Sequence, residues 1–208
     1  MKIFFATQNQ GKIKEVNQIL KGLPFKIIGA KAAGIHQEIK EDKNTFWENA
    51  LKKAKFINQT TKQWSIAEDS GLCIKALHGR HGIKTARWAG PNVSSKQLVA
   101  YTLKKLKNIP SGKRQAYFVC TIALVSPKGK FWLFTGKVKG RIALVPKSTN
   151  RPKLPYDLIF IPAGYKKTFA QMTDKRKNRL SHRAQAFNKL KKFIINDLKE
   201  YENHQPGL

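Results

Sequence analysis

Apolar runs typical of β-strands alternate along this chain with amphipathic segments typical of helices. The strand-like runs are 2–7, 25–28, 64–67, 117–125, 130–138 and 158–161. The helical segments are about 12–21, 45–58, 94–107 and 180–194. Residues 126–129, Ser-Pro-Lys-Gly, join two of the strand-like runs and are typical of a hairpin turn. This interleaving predicts an α/β fold with at least one antiparallel pair in its sheet.

The length of 208 residues predicts one domain, 1–208, organised as two lobes. No apolar run is long enough to predict a membrane span, and the apolar run at the N-terminus is too short for a signal peptide. Cys73 and Cys120 stand alone in apolar surroundings, where a free cysteine usually behaves as a small buried hydrophobe. We therefore expect a reducing, cytoplasmic setting.

The formal net charge is +29, from 41 Lys and Arg against 12 Asp and Glu. A basic excess attracts phosphate without regard to sequence, so non-specific nucleic-acid binding is one interpretation. The excess is mainly a shortage of acids, since no carboxylate lies between Asp69 and Asp157. The few acids present are therefore informative.

The first candidate motif, Thr7-x-Asn9-x-x-Lys12-x-x-Glu15, lies where a strand ends and a helix begins. Backbone N–H groups at a helix N-terminus can bind an anion, and the helix dipole favours negative charge there. Lys12 in the first turn opposes that dipole unless an anionic ligand such as a phosphate is present. The alternative is that Thr7 and Asn9 only cap the helix and Lys12 is solvated.

The second motif, Glu68-Asp69-Ser70-Gly71, follows a strand-like run. Ligands of open α/β sheets lie beyond the carboxyl ends of strands, and adjacent carboxylates suit Mg²⁺ bound together with substrate phosphates. Glu38 is a candidate second ligand. The alternative is a turn in which the side chains bond local backbone. For Glu41 and Asp42 we favour a solvated loop, and for Glu48 a helix-capping role.

The third motif runs from Lys177 to Arg183, where Ser181 can cap a new helical turn. His182 and Arg183 would then lie in the first turn, where cations oppose the dipole and indicate an anionic ligand. The alternative is a basic helix face in contact with water.

Taken in order, the three motifs resemble those of the inosine-triphosphate pyrophosphatase family, and the resemblance extends from Lys2 to about Ile194. It also includes Thr45-Phe46-x-Glu48-Asn49-Ala50 and Ala86-Arg87-Trp88-Ala89-Gly90. The segment from Tyr156-Asp157 to Thr168-Phe169-Ala170 matches as well. The family resemblance implies an elongated mixed β-sheet flanked by helices, with two lobes and a central nucleotide-binding cleft, usually in a homodimer.

The resemblance further implies Mg²⁺-dependent hydrolysis of non-standard purine nucleoside triphosphates (inosine, deoxyinosine and xanthosine triphosphate) to the monophosphate and pyrophosphate. By position, Asp69 matches the general base and a metal ligand, with Glu38 as the second metal ligand. The matching substrate-binding positions are Thr7, Gln8, Asn9, Gln10, Gly11, Lys12, Ser70, Arg87, Leu154, Pro155, Tyr156, Asp157, Lys177, His182 and Arg183.

One segment departs from the family pattern, which usually has Gly-Phe-Gly before Tyr-Asp, with the Phe stacked on the purine. Here Leu154 replaces the aromatic residue and Pro155 replaces the second glycine. Because stacking contributes about 1–3 kcal/mol per base, its loss predicts a raised KM or a relaxed base preference. Two alternatives therefore stay open: a member with altered nucleotide specificity, and a basic nucleic-acid-binding protein.

Overall fold

The computed structural model describes residues 2–23, 25–37, 39–78, 82–83, 85, 88–90, 92–147 and 154–196. Its strands are β1 (Lys2–Phe5), β2 (Lys26–Gly29), β3 (Ser65–Ile74), β4 (Gln115–Val125), β5 (Phe131–Ile142) and β6 (Phe160–Pro162). Its α-helices are α1 (Gln10–Ile19), α2 (Phe46–Thr61), α3 (Ser95–Lys105), α4 (Asp174–Leu180) and α5 (His182–Asn196). Short 3₁₀ turns cover Ala30–Ala33, Lys75–Leu77, Ser111–Lys113, Pro155–Leu158 and Phe169–Gln171.

Within the described residues the strands form one mixed sheet in the order β2-β1-β3-β4-β5-β6. β1 is parallel to β2 and β3, whereas β3, β4, β5 and β6 are successively antiparallel. The predicted hairpin between β4 and β5 is confirmed: Ser126 N–H donates to Lys130 O, and Gly129 adopts φ +83°. The predicted α/β class is therefore confirmed.

Strand β3 extends further than the sequence indicates. The prediction ended the strand near Ala67 and placed residues 68–71 just beyond it, but all of them lie in β3. The whole strand pairs with β4, whereas β1 pairs only with Ser65 and Ile66. Tertiary pairing overrides the polar local sequence here. As a result, two carboxylates lie in mid-strand, past the point where β1 ends.

Apolar side chains cover the sheet on both faces. On one face α1 and α5 pack over a cluster that includes Phe5, Ile66, Ile122 and Phe187. The same face carries a second cluster further along the sheet, which includes Leu72, Phe118, Tyr156, Phe160 and Phe169. On the opposite face α2 packs on an alanine-rich patch, Ala50, Ala54, Ala67, Ala123 and Val125.

The predicted C-terminal helix, at about 180–194, is α5, and the separate short helix α4 directly precedes it. α4 ends at Leu180, and Ser181 adopts extended backbone angles, with φ −65° and ψ 154°. The Ser181 hydroxyl accepts a hydrogen bond from Ala184 N–H at 3.1 Å, which caps the start of α5 as the sequence predicts. His182 and Arg183 therefore lie in the first turn of α5.

No helix among the described residues is both long and apolar enough to cross a membrane. Half of the Gly-rich segment 79–92 and most of the Pro-rich segment 146–155 lie outside the described residues.

Candidate active site

The first motif forms the turn from β1 into α1. Asn9 caps the helix, since its Oδ1 accepts a hydrogen bond from Lys12 N–H at 3.2 Å, and Asn9 N–H donates to Thr7 Oγ1 at 3.2 Å. Gln8 is exposed and its Nε2 donates to His36 O. Gln10 and Gly11 are exposed at the start of the helix. The predicted capping by Asn9 is therefore present, but Lys12 makes a contact with the protein and is not the solvated side chain of the capping alternative.

Lys12 points toward β3, where its Nζ lies 3.0 Å from Glu68 Oε1. Glu68 is buried and also receives Arg183, whose Nε donates to Oε2 at 2.7 Å and whose Nη2 donates to Oε1 at 2.9 Å. Burial alone would raise the pKa of Glu68, but the charges of Arg183 and Lys12 hold it well below the usual value. Glu68 therefore stays anionic and fixes Lys12 beside the end of β1.

Asp69 points to the other face of β3, toward α2. Its Oδ2 accepts a hydrogen bond from Asn49 Nδ2 at 3.0 Å, and its Oδ1 accepts one from Ser70 N–H at 2.9 Å. Burial raises the pKa of Asp69 to about 6; the nearby Glu41 carboxylate adds to this shift, and Lys53 opposes it. The carboxylate is thus held in one orientation and is close to its titration point at neutral pH.

Sequence reasoning missed Lys53 and misread Glu41. Lys53 is buried on α2, pairs with Glu41, and donates to the backbone oxygen of Glu68 at 2.7 Å. Its spacing from Ala50, Ala54 and Ile57 places it on the inward face of the helix, which is a signal that could have identified it. Glu41 was assigned to a solvated loop, and nothing in its local sequence indicates the contact with Lys53.

A cleft of about 240 Å³ lies where these groups meet. Its walls include Thr7, Gln8, Asn9, Lys12, Glu41, Lys53 and Glu68. Two ammonium groups face the carboxylates of Glu41 and Glu68, with Asp69 adjacent. The positive and negative charges nearly cancel, so a polyanionic ligand entering this cleft would need a further cation.

A second cavity, of about 310 Å³, adjoins the cleft and shares Asn9 and Lys12 with it. Its wall includes Phe118 and His182, whose rings stack with centroids 4.5 Å apart and an interplanar angle of 7°. The half-buried Leu154 and Pro155 and the buried Tyr156 form another side. The cavity is thus shaped by rings and apolar groups, as suits a planar ligand.

His182 is buried, and its Nδ1 has no hydrogen-bond partner among the described residues. Burial and the neighbouring Arg183 charge lower the pKa of His182 well below its usual value. The imidazole is therefore neutral and keeps an unsatisfied polar atom at the cavity.

Tyr156 is held by two hydrogen bonds: its hydroxyl donates to Thr85 O at 2.8 Å and accepts from Trp88 Nε1 at 2.8 Å. Burial raises the pKa of Tyr156 to about 12, so the phenol stays protonated. Tyr156 therefore fixes the wall of the cavity rather than taking part in proton transfer.

Buried charges connect the two cavities. Lys177 Nζ lies 2.8 Å from Asp157 Oδ2 and 3.7 Å from Glu15 Oε1. Glu15 Oε2 accepts from Arg183 Nη1 at 2.6 Å. Burial raises the pKa of Asp157 despite the adjacent ammonium of Lys177. Within this cluster, Lys177 and Arg183 are already paired with protein carboxylates.

The fold brings together most of the predicted site residues. Thr7, Asn9, Lys12 and Ser70 line one or both of the cavities. Leu154, Pro155, Tyr156, Asp157, His182 and Arg183 line the apolar one. Gly11 and Lys177 border a neighbouring recess that also includes Leu154 and Asp157. Glu38 and Arg87 lie outside the described residues.

The Asp69 region suits a divalent cation in its chemistry. Each Asp69 oxygen accepts one hydrogen bond and keeps lone pairs free, and burial beside Glu41 leaves the anion in need of a counter-charge. In the described part of the chain, which omits Glu38, no group of three or more His, Cys, Asp or Glu side chains could hold a metal ion. One or two carboxylates from the protein are what Mg²⁺ uses when substrate phosphates and water complete its coordination.

These features define a class: an α/β protein in which a charged cleft adjoins an apolar, ring-lined cavity. A family model described as the Ham1 family matches residues 3–193. The chain therefore belongs to the Ham1 family, which confirms the resemblance found in its motifs.

Curated relatives agree with this assignment. The chain is 38% identical over 200 residues to a dITP/XTP pyrophosphatase of Thermoanaerobacter pseudethanolicus, covering 96% of this chain and 100% of that protein. It is 39% identical over 190 residues to a dITP/XTP pyrophosphatase of Geobacter sulfurreducens, covering 91% and 94%. The Ham1 protein of Staphylococcus aureus has the same fold, with a TM-score of 0.83 at 34% identity, covering 95% of this chain and 100% of that one.

Proposed function

We propose that this protein hydrolyses non-standard purine nucleoside triphosphates, such as the inosine, deoxyinosine and xanthosine forms, to the monophosphate and pyrophosphate. One observation carries the proposal: the charged cleft and the ring-lined cavity meet at Asn9 and Lys12. A nucleotide has the same division into polyanion and ring. The relatives' activity on dITP and XTP supports this choice of substrate.

The phosphates lie in the charged cleft, where the ammonium groups of Lys12 and Lys53 face them close to the N-terminus of α1. Lys12 is held by Glu68, and Lys53 by Glu41 and a backbone oxygen. Groups that are fixed before the substrate arrives need no reorganisation during reaction, which is how charge stabilisation accelerates phosphoryl chemistry.

Asp69 is the general base. Its orientation is fixed by Asn49 and the backbone, and with a pKa of about 6 it is mostly ionised at neutral pH yet basic enough to accept a proton. Water oxygen bonds to the α-phosphorus, the bond from that phosphorus to the α–β bridging oxygen breaks, and pyrophosphate leaves. The water proton passes to Asp69.

Mg²⁺ is the cofactor we propose, with Asp69 and a second carboxylate as protein ligands. Glu38, implied by the family resemblance, and Glu41, which lines the cleft, are the candidates for that second position. When bound, Mg²⁺ would supply positive charge to the triphosphate and to the attacking water. The near balance of charge in the cleft supports this requirement.

The base lies in the ring-lined cavity, against the stacked Phe118 and His182 and beside Leu154. Because His182 is neutral with an unpartnered Nδ1, it can accept from or donate to a purine edge according to its tautomer. With Leu154 in place of an aromatic ring, we expect weaker base binding or a broader base preference than in relatives that keep the Phe.

The test is pyrophosphate release from a panel of standard and deaminated triphosphates, with and without Mg²⁺. We expect Mg²⁺-dependent release from the deaminated purines and at least a hundredfold loss of kcat in Asp69→Asn. Asp42→Asn is the matched control, since Asp42 is an exposed carboxylate paired with Lys52. Near-wild-type turnover by Asp69→Asn would refute the role of Asp69 as general base. Absence of turnover of every triphosphate by the wild type would refute the proposed function.

A single domain of two lobes, a homodimer and a cytoplasmic setting stay predictions from the sequence. Because the monomer carries +29, a dimer interface would have to bury enough apolar surface to offset like-charge repulsion. Sedimentation over a salt series tests this, since screening should strengthen a dimer opposed by charge.

A further inference from the structure

One face of the β4–β5 hairpin carries exposed charge that the proposed reaction does not use. Lys137, Lys139 and Arg141 alternate along β5 and are all exposed. The glycine between two of them, Gly140, faces the opposite side, where an added Cβ would meet Ile161. The three cations therefore project from the same side of the sheet. We call them the basic strip.

The basic strip has no neutralising partner in the described part of the chain. None of its residues takes part in an ion pair there. β4 and β5 contain no carboxylate, because residues 70–156 include no Asp or Glu. On the same face, the carboxylate that β3 contributes is Asp69, which is in register with Thr121 and Thr135. It lies two strands from β5, or about 10 Å across the sheet.

Beside the basic strip runs a less polar row on β4. Tyr117 is paired with Lys139, and Val119 is paired with Lys137; both are half-buried. Lys137 Nζ lies 3.8 Å from the centroid of the Tyr117 ring, which holds this ammonium over the sheet. The face thus offers a row of cations next to a row with an aromatic and an aliphatic group.

The free edge of β5 near the basic strip is closed by α5. Lys137 N–H donates to Gln185 Oε1 at 3.2 Å, and Lys189 Nζ donates to Thr135 O at 2.7 Å. An added strand from a second copy would have to displace these bonds. The accessible feature is therefore the sheet face and not its edge.

We propose that this sheet face binds single-stranded nucleic acid, with phosphates along the basic strip and bases or sugars over Tyr117 and Val119. Alternate residues of a strand are about 6.8 Å apart, which gives a regular row of cations to follow a backbone of phosphates. Single-strand binding sites elsewhere combine a positively charged track with an aromatic platform. The surface is separate from the nucleotide cleft, and the proposal does not depend on the hydrolase activity.

The test measures binding of a fluorescent oligodeoxythymidylate by anisotropy over a salt series. The variant replaces all three basic-strip residues by Gln. Removing three contacts to single-stranded phosphates should reduce the magnitude of the slope of log K against log salt by about 2. It should lower the affinity at 0.1 M salt by roughly a hundredfold. Its kcat for inosine triphosphate should be unchanged, and saturating inosine triphosphate should not compete with the oligonucleotide.

The control removes the same charge from the opposite edge of the sheet, with Lys21, Lys26 and Lys31, which are all exposed, changed to Gln. We expect its salt slope to stay close to that of the wild type. Equal losses in the two variants would show that net charge alone binds the strand and would overturn the proposal.

Two further outcomes would also overturn it. Inorganic polyphosphate that competes as well as an oligonucleotide of equal charge would mean that bases and sugars contribute nothing. A change in sedimentation of the basic-strip variant alone would mean that the face meets a second copy of this chain.

Discussion

Replacing Asp69 by Asn should make the metal-free protein gain stability relative to wild type as the pH rises, while kcat falls at least a hundredfold. Burial raises the pKa of Asp69 from 3.8 to about 6, so the folded protein disfavours the ionised form. A shift of about 2 units corresponds to about 3 kcal/mol at a pH well above both values. An acid whose folded pKa is raised contributes stability that is complete below the unfolded pKa and is lost as pH rises through the folded one.

The Asp69→Asn substitution also lowers the unfolding free energy by an amount that does not depend on pH. Asp69 accepts from both Asn49 Nδ2 and Ser70 N–H, and an asparagine has one carbonyl oxygen for the two donors. The lost bond costs about 1–3 kcal/mol at every pH, so absolute stability at one pH is ambiguous. The informative quantity is how the difference in unfolding free energy between variant and wild type changes with pH.

Urea unfolding in a chelator measures that quantity. Between pH 4.5 and pH 8, the unfolding free energy of the Asp69→Asn variant should rise by about 2 kcal/mol relative to that of wild type. Most of this change should occur near and below pH 6. Mg²⁺ should reduce this gain at pH 8, because a bound cation stabilises the ionised aspartate. A difference in unfolding free energy that does not change with pH would refute the claim that burial raises the pKa of Asp69, whatever the variant does to activity.

Three other changes test separate parts of the structure. Leu154→Phe should lower KM for inosine triphosphate about tenfold with little effect on kcat, because a stacked ring adds about 1–3 kcal/mol; unchanged steady-state kinetics would argue against base contact there. Lys53→Met should lower kcat/KM about a hundredfold by removing a fixed cation from the phosphates, and a loss confined to thermal stability would instead make Lys53 purely structural. Gly136→Ala should destabilise by about 1–3 kcal/mol or more in urea unfolding, since its Cβ would lie 2.1 Å from His182 O. Gly112→Ala, with nothing within 4 Å of the new Cβ, is the control and should unfold like wild type.

Much of the fold follows from local sequence. Thr45 caps α2 together with Glu48, as their spacing predicts, and the helix predicted from about residue 94 begins with a capping box of Ser94 and Gln97. The hairpin at 126–129 also follows from its turn residues. These features depend on contacts between residues close in sequence, which pattern reading detects well.

The site is less predictable because it depends on long-range pairing. The extension of β3 through Glu68 and Asp69 comes from β4, whose residues lie about fifty positions later in the chain. Consequently the two adjacent acids have opposite surroundings: Glu68 meets Arg183, and Asp69 meets Asn49. No local pattern distinguishes a strongly acidic carboxylate from a neighbour with a raised pKa. Only the pleat of a continuous strand separates them.

The continuity of β3 also bears on how this protein can change over generations. Asp69 lies in a strand that both large apolar clusters share, through Ile66 in one cluster and Leu72 in the other. A substitution there alters chemistry and folding together. Leu154 and Pro155 stand in the wall of the cavity and are only half-buried, so they can vary at small cost to stability. We therefore expect mutational drift in base preference to concentrate in that wall, while the hydrolytic step stays tied to the core of the sheet.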